Sequence, residues 1–202
     1  MEEFFKKDSP GSTDDLIQEL IEKRILVVND EVDEYLLENL VLQIIKFNDQ
    51  DKDLPVDKRK PIKIFLQSPG GSCIDGLNVV DAIEHSVTPV YTVCFSKCCS
   101  MAFHIFITGH KRYAFKNSVL LNHDGEIAIQ NTNSKAKDTM LFIDELNKRM
   151  KQHILDHTKI TDEFYDSIYE KEYYMFADTR AKELGCVDYI IGEDVTLDSL
   201  LR

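Results

Sequence analysis

The sequence of 202 residues lacks long apolar runs and is short of basic residues. A membrane-spanning helix needs about 20 consecutive apolar residues, and the apolar runs here stop well short of that. The N-terminal segment Met-Glu-Glu-Phe-Phe-Lys-Lys has no apolar core of the kind found in signal peptides. Lys and Arg number 24 against 36 Asp and Glu, which gives a formal net charge of -12. Because nucleic-acid binding and anionic-membrane binding rely on basic surface, we expect neither partner.

Cysteine usage argues against a disulfide framework. The five cysteines are an odd number, and a chain of this length buries enough surface to fold without covalent staples. Reduced thiols fit better, so we expect a soluble, cytoplasmic domain. A zinc site would use Cys94, Cys98, Cys99 and His104, but their spacing fits known zinc sites badly. No metal or other cofactor is therefore expected.

The apolar pattern predicts alternating strands and helices. Short apolar runs indicate strands, and apolar residues three or four apart indicate helices. The predicted strands cover residues 25–28, 62–66, 90–95, 118–122 and 187–191, and the predicted helices cover residues 14–22, 36–45, 74–85, 100–109, 135–157 and 177–184. Strand–helix units of this length favour parallel strands with right-handed crossovers. The predicted fold class is therefore a layered α/β fold.

A segment rich in serine and glycine, residues 68–72 (Ser-Pro-Gly-Gly-Ser), follows the second predicted strand. Two adjacent glycines let the backbone approach a ligand closely and point N–H groups at negative charge. Neither G-x-x-x-x-G-K-[ST] nor G-x-G-x-x-G occurs, so the segment does not fit a phosphate loop. A plain tight turn and an oxyanion site have about equal weight here.

Ser100 lies at the next predicted junction between a strand and a helix. A serine at a helix N-terminus can face a substrate, and the helix dipole favours the negative charge that develops there. Capping of the helix by the hydroxyl is the simpler role. Cys98 or Cys99 is an alternative nucleophile at the same junction, provided that its thiol has a low pKa.

A nucleophilic serine needs a base, and two histidines are candidates. His123 directly follows a predicted strand, at the edge of the sheet where Ser100 also emerges. His104 lies one helical turn after Ser100, but its helical face also carries apolar residues, so a core role is favoured. His123 is therefore the preferred base. The remaining histidines are predicted to be solvated surface residues: His85, His110, His153 and His157.

These stretches together resemble the proteolytic subunit of the Clp protease, a self-compartmentalising serine peptidase. The family's S-P-G-G-S motif is present at residues 68–72, and its small residues before S-M correspond to residues 98–101, Cys-Cys-Ser-Met. Residues 111–118, Lys-Arg-Tyr-Ala-Phe-Lys-Asn-Ser, lead to His123 as in the segment before the family's catalytic histidine. Residues 182–188 resemble the family's closing A-x-E-x-G-x-x-D, and the whole resemblance extends over about residues 24–191.

The resemblance implies roles for individual residues. Ser100 would be the nucleophile and His123 its general base, and the backbone N–H groups of Gly71 and Met101 would form the oxyanion hole. Phe65 falls where the family has an aromatic residue of the docking pocket for an unfoldase.

The resemblance also implies a domain organisation and an assembly. Residues 24–192 would be a peptidase domain of the fold shared by Clp proteases and crotonases, after an arm and first helix (1–23) and before a tail (193–202). The helix over about 135–157 would be a protruding handle that joins two heptameric rings into a stacked tetradecamer. The arm would line the axial entrance. A partner unfoldase of the AAA+ type would use the ATP and feed in unfolded polypeptide, so this chain itself needs no cofactor.

The position of the third catalytic residue is open. The family has an aspartate in an E-R-D-x-[FYW]-[ML] run, and the matching residues 170–175 are Glu-Lys-Glu-Tyr-Tyr-Met. Alignment on the methionine places Glu172 at the aspartate position, whereas counting back from the glycine of the closing motif places Tyr173 there. A glutamate can orient His123 and stabilise its imidazolium, whereas a tyrosine cannot carry that charge.

Two other functions stay open at this point. A catalytically degenerate structural or regulatory subunit would assemble with an active paralogue, and the altered aspartate position motivates this alternative. A crotonase-type acyl-CoA enzyme shares the layered architecture and also holds an oxyanion with backbone amides, but it would not need a serine–histidine pair.

Overall fold

In the computed structural model, which describes residues 13–201, seven strands form one mixed sheet. The strands are β1 (Ile25–Val28), β2 (Ile62–Ser68), β3 (Val90–Cys99), β4 (Lys111–Phe115), β5 (Val119–Asn122), β6 (Tyr173–Phe176) and β7 (Tyr189–Ile191). The main order is β1-β2-β3-β4-β7, and all of these neighbours pair in parallel. The α/β fold class predicted from the sequence is confirmed.

Helices connect the parallel strands. They are α1 (Thr13–Glu22), α2 (Leu42–Gln50), α3 (Cys73–Glu84), α4 (Met101–Ile107), α5 (Asn133–His157), α6 (Asp162–Ile168) and α7 (Leu197–Leu201). Short π-helical turns cover Leu37–Val41 and Ala177–Ala181, and a 3-10 turn covers Val56–Lys58. Of the helices in residues 13–201, none is long and apolar enough to cross a membrane.

Strand β3 divides the sheet into two branches. Its first half pairs with β4, and its second half, Lys97–Cys99, pairs with β5. Strand β5 in turn pairs with β6, and this pair is antiparallel. The second branch therefore carries the carboxyl end of β5 and the amino end of β6 to the same place, next to the end of β3.

The two faces of the sheet bury different side chains. Because side chains alternate along a strand, Ile64 and Cys94 face the larger core, which also contains Phe103 and Phe106 of α4. Phe65 and the other alternate residues face a smaller cluster that is mostly aromatic. Packing of α4 against this face of the sheet holds the helix, and hence its N-terminus, in place.

Several element predictions need correction. Strand β3 extends to Cys99 rather than ending near residue 95, so Cys98 and Cys99 lie within a strand. Strands β4 and β6 and helix α6 were not predicted at all. Both strands are short and mix polar with apolar residues, and both gain their hydrogen bonds from partners distant in sequence.

The apolar stripe over residues 36–45 is also only partly a core face. Leu36, Leu40 and Ile44 are buried, but Leu37 and Ile45 are exposed. The segment begins with the π-helical turn before α2, which shifts the side chains relative to a regular helix.

Candidate active site

Two strand–helix junctions lie against each other at the carboxyl ends of β2 and β3. Ser68 at the end of β2 pairs with Cys98 near the end of β3. Gly70 has φ +99°, and a Cβ atom added there would lie 2.6 Å from both the Cys99 carbonyl oxygen and Ser100 Cβ. Only glycine fits this close approach. The glycine turn and Ser100 therefore lie side by side.

Ser100 has a strained backbone. Its φ of 53° and ψ of -127° are rare for a residue with a side chain. The Ser100 N–H donates to the Leu121 carbonyl oxygen at 3.0 Å, and the Ser100 carbonyl accepts from Phe103 N–H at 2.9 Å. Although Ser100 precedes α4, its hydroxyl makes no capping hydrogen bond. The simple capping role is therefore wrong, and the hydroxyl is available for other chemistry.

His123 is paired with Glu172. The two residues follow β5 and precede β6, and the antiparallel register Asn122↔Tyr173 makes them neighbours. His123 Nδ1 lies 2.8 Å from Glu172 Oε1. Because a carboxylate oxygen only accepts, His123 Nδ1 carries the hydrogen, and Nε2 of the neutral ring is left as an acceptor.

Tyr173, the alternative third residue, makes a different contact. Its hydroxyl accepts a hydrogen bond from Arg180 Nε at 2.9 Å. Glu172, the residue directly before β6, instead contacts His123. Of the two alignments, the structure brings Glu172 to the histidine.

Ser100 and His123 line one cavity, together with Met101, Met150 and Tyr165 among others. Within residues 13–201, no hydrogen bond joins the Ser100 hydroxyl to His123. The pair therefore shares a cavity without being aligned for proton transfer, and catalytic hydrogen bonds often tighten only when substrate binds.

Backbone N–H groups border the same junction. Val32 N–H donates to the Gly70 carbonyl oxygen at 2.8 Å, and Ser72 N–H donates to the Val32 carbonyl oxygen at 2.7 Å. These two bonds fix the turn on either side of Gly71. Neither Gly71 N–H nor Met101 N–H donates to a backbone carbonyl in the described segment. Both groups are therefore free to donate to a ligand oxyanion.

The cysteines beside Ser100 are unsuited to nucleophilic chemistry. Burial raises the pKa of the Cys98 thiol well above its ordinary value and also raises the pKa of Cys99. A reactive cysteine needs a lowered pKa. Burial and the raised pKa therefore favour Ser100 over both thiols as the nucleophile.

His104 is buried, as expected for a core residue, but it also lines the cavity beside Ser100. Its Nδ1 lies 3.1 Å from His153 Nδ1 on α5. The prediction that His153 is a solvated surface residue is wrong. His153 is buried where α5 packs against α4, and it also contacts Thr108. His157 is half-buried, with Nε2 3.2 Å from Glu84 Oε1, so the surface prediction fails there too.

One histidine cluster resembles a metal site in composition. Glu84, His153 and His157 place ligand atoms within 4.8 Å of one another. Both ring nitrogens of His153 are already hydrogen-bonded, one to His104 and one to Thr108. A metal ion would have to break these buried bonds, so the cluster does not fit a resident metal.

Phe65 lies away from the cavity, on the aromatic face of the sheet. Its ring is 4.8 Å from that of Phe95, which in turn is 5.3 Å from Phe115. Leu200 of α7 is buried in the same cluster. The aromatic face is therefore a separate surface from the Ser100 site.

The candidate site is of the serine-hydrolase class. It combines a serine at a strained strand–helix junction with a histidine–carboxylate pair and free backbone donors, on a layered α/β fold. The family model for Clp protease matches residues 7–194. The chain therefore belongs to the Clp protease family.

Individual relatives agree with this assignment. An ATP-dependent Clp protease proteolytic subunit from Cyanophora paradoxa is 29% identical over 177 residues, which cover 86% of this chain and 87% of the relative. A protein of the same description from Bacteroides thetaiotaomicron is 30% identical over 182 residues, covering 88% and 78%. Another from Bacteroides fragilis is 28% identical over 182 residues, covering 88% and 83%.

Proposed function

We propose that this chain is a serine endopeptidase subunit that cleaves unfolded polypeptides. Ser100 is the nucleophile, His123 is the general base and Glu172 orients His123. The observation that carries this proposal is the 2.8 Å contact between His123 Nδ1 and Glu172 Oε1 at a cavity that Ser100 also lines. Membership of the Clp protease family favours peptide hydrolysis over the acyl-CoA chemistry of crotonases.

The proposed reaction follows from the arrangement of His123, in which Nδ1 carries the hydrogen and Nε2 can accept a proton. Nε2 of His123 takes the Ser100 hydroxyl proton as Oγ attacks the peptide carbonyl, and the negative charge of Glu172 stabilises the resulting imidazolium. The N–H groups of Gly71 and Met101 donate to the oxyanion. The imidazolium then protonates the leaving amine as the C–N bond breaks. Water attacks the acyl-enzyme with His123 again as base, and the proton passes to Ser100 Oγ as the ester bond breaks and the acid product leaves. This reaction needs no metal or other cofactor.

We also propose that the chain works in an assembly. The relatives are named as proteolytic subunits of an ATP-dependent protease, which supports a partner that uses ATP. An AAA+ unfoldase would dock near Phe65 and feed unfolded polypeptide to a chamber in the cytoplasm. Leu141 and Phe142 of α5 are 69% and 55% exposed, which supports α5 as the handle that joins two heptameric rings. The arm proposed to line the entrance, residues 1–12, lies outside the described residues.

Cleavage of a small fluorogenic peptide by the purified full-length chain tests the enzymatic proposal. We expect turnover that is lost in Ser100→Ala and kept in Ser134→Ala. Ser134 is a matched control because it is an exposed serine of α5 that does not line the cavity. Turnover that survives in Ser100→Ala would show that another residue or a contaminant cleaves the peptide.

A degenerate subunit is the second candidate, and one observation favours it. The Ser100 hydroxyl makes no hydrogen bond to His123 within residues 13–201, and the Glu172 side chain is 58% exposed. Such a chain would show no turnover alone, but it would change the peptide cleavage of an active paralogue when the two are mixed. Ser100-dependent turnover by the isolated chain rejects this candidate.

A further inference from the structure

A chain of hydrogen bonds runs through the wall of the cavity beside Ser100. Thr108 Oγ1 lies 2.8 Å from the His104 carbonyl oxygen and 2.9 Å from His153 Nε2. His153 Nδ1 lies 3.1 Å from His104 Nδ1. All three of these side chains are buried, and His104 is the one that lines the cavity. The positions of the hydrogens in this series of hydrogen bonds decide whether His104 Nε2 is a donor or an acceptor.

The direction of the hydrogen bonds is fixed at Thr108. A carbonyl oxygen only accepts, so the single hydroxyl hydrogen of Thr108 is donated to the His104 carbonyl. Thr108 Oγ1 must therefore accept from His153 Nε2–H. Burial lowers the pKa of His153 to about 4 and lowers that of His104 well below its ordinary value, so each ring is neutral with one hydrogen. His153 Nδ1 then accepts from His104 Nδ1–H, and His104 Nε2 carries a lone pair.

This lone pair lies on a side chain that borders the cavity. Within residues 13–201, two buried side-chain nitrogen or oxygen atoms have no hydrogen-bond partner, Gln43 Oε1 and Asn122 Nδ2. His104 Nε2 also has no hydrogen-bond partner among the described residues. Because it is not one of the two buried atoms without a partner, it keeps some solvent-accessible surface. His104 is also one of the residues that line the cavity beside Ser100.

We infer, on the basis of the proposed peptidase function, that His104 determines specificity for the substrate side chain that enters this cavity. Its Nε2 accepts a hydrogen bond from a carboxamide, so Asn or Gln is favoured over an apolar side chain of similar size. Asn147, Tyr165 and Tyr169 line the cavity beside the apolar Met101 and Met150, and side chains of these three types can donate to a carboxamide oxygen. An apolar side chain would leave these polar groups unpaired, which opposes its binding.

Two fluorogenic peptides that differ only in Asn or Leu before the scissile bond provide the test. The measured quantity is the ratio of kcat/KM for the Asn peptide to kcat/KM for the Leu peptide. Both values come from one preparation, so a loss of folded protein cancels. We expect the ratio to fall about tenfold in His104→Leu, the scale of one lost buried hydrogen bond and the unpaired groups it leaves.

A second variant tests the hydrogen-bond chain itself. His153→Leu removes the acceptor that holds the hydrogen on His104 Nδ1, although His153 does not line the cavity. We expect the ratio to fall about threefold, because His104 can then adopt either tautomer. The exposed His85 is the control, and His85→Leu should keep the wild-type ratio. A wild-type ratio in both His104→Leu and His153→Leu would overturn the inference.

A binding measurement separates this inference from the peptidase proposal. If neither peptide is cleaved, the proposed function fails, and calorimetric titration of full-length Ser100→Ala with the same two peptides decides the specificity. We expect the ratio of the Kd for Leu to the Kd for Asn to fall about tenfold when His104→Leu is added. A ratio that does not change would overturn the inference without any reference to catalysis.

Discussion

Acidification should destabilise the folded chain through His153. Burial lowers the pKa of this histidine from 6.5 to about 4 in the folded state, whereas the unfolded chain titrates near the ordinary value. Between these two values the unfolded state binds a proton that the folded state does not. The stabilisation is therefore fully present above pH 6.5 and is lost as the pH falls toward 4.

The size of the effect follows from the shift in pKa. A shift of one unit corresponds to about 1.4 kcal/mol, so the full loss from His153 is about 3 kcal/mol. By pH 5 about 2 kcal/mol of it is lost, because the unfolded histidine is then almost fully protonated. His104 adds to the loss, since its pKa is lowered by burial and by the neighbouring His153 and His157. Asp156 raises the pKa of His153 and so opposes the shift.

Urea unfolding at pH 7 and pH 5, at one protein concentration, measures this loss. The free energy of unfolding of the wild type should fall by about 2 kcal/mol more than that of His153→Leu over this interval. His85→Gln removes an exposed histidine and should keep the wild-type pH dependence. Equal losses in the wild type and His153→Leu would refute the assignment of a neutral, buried His153.

Three further substitutions test other parts of the structure. Glu172→Gln should lower kcat/KM for peptide cleavage by about 10- to 100-fold with little change in KM, a modest loss because solvent screens the exposed carboxylate beside His123. Gly70→Ala should lower the free energy of unfolding in urea by about 2 kcal/mol, because its positive φ and the contacted backbone leave no room for Cβ. Asp51→Asn should lower the same quantity by about 3 kcal/mol, since the carboxylate of buried Asp51 accepts a hydrogen bond from Arg24 Nη2 at 2.7 Å. Wild-type values for any of these variants would contradict the corresponding contact.

The alternation of strands and helices is predictable because its signal is local. Residues 62–66 and 90–95 are continuous apolar or near-apolar runs, and they lie in central parallel strands that are covered on both faces. Strand β4 carries Lys111 and Arg112 at its start, and its place in the sheet depends on pairing with β3 and β7. Such pairing leaves little local signal, so the strand is found only in the structure.

The candidate site also has a part that is predictable from local sequence and a part that depends on distant contacts. Ser100 and Gly70 are recognisable because each lies where a predicted strand is followed by a predicted helix, and the structure shows that both have a positive φ. The choice between Glu172 and Tyr173 depends on the register of β5 against β6, and a slip of one residue reverses which side chain faces His123. Sequence alignment leaves that register open, whereas the structure fixes it.

The burial of His153 is the clearest failure of the sequence interpretation. The two residues before it in the chain, Lys151 and Gln152, are polar, which favours a surface position. Its partner His104 is 49 residues away, so no local pattern announces the contact. The one available signal is the spacing of three residues from Met150, which places His153 close to the apolar stripe of α5.

The central claim is that Ser100 is a nucleophile activated by His123 and Glu172. Reaction of the full-length chain with a fluorophosphonate, followed by tandem mass spectrometry of its peptides, tests this claim most directly. We expect one covalent adduct, on Ser100, that forms more slowly in Glu172→Gln. An adduct on another residue, or an assembled protein whose Ser100 stays unmodified, would contradict the account.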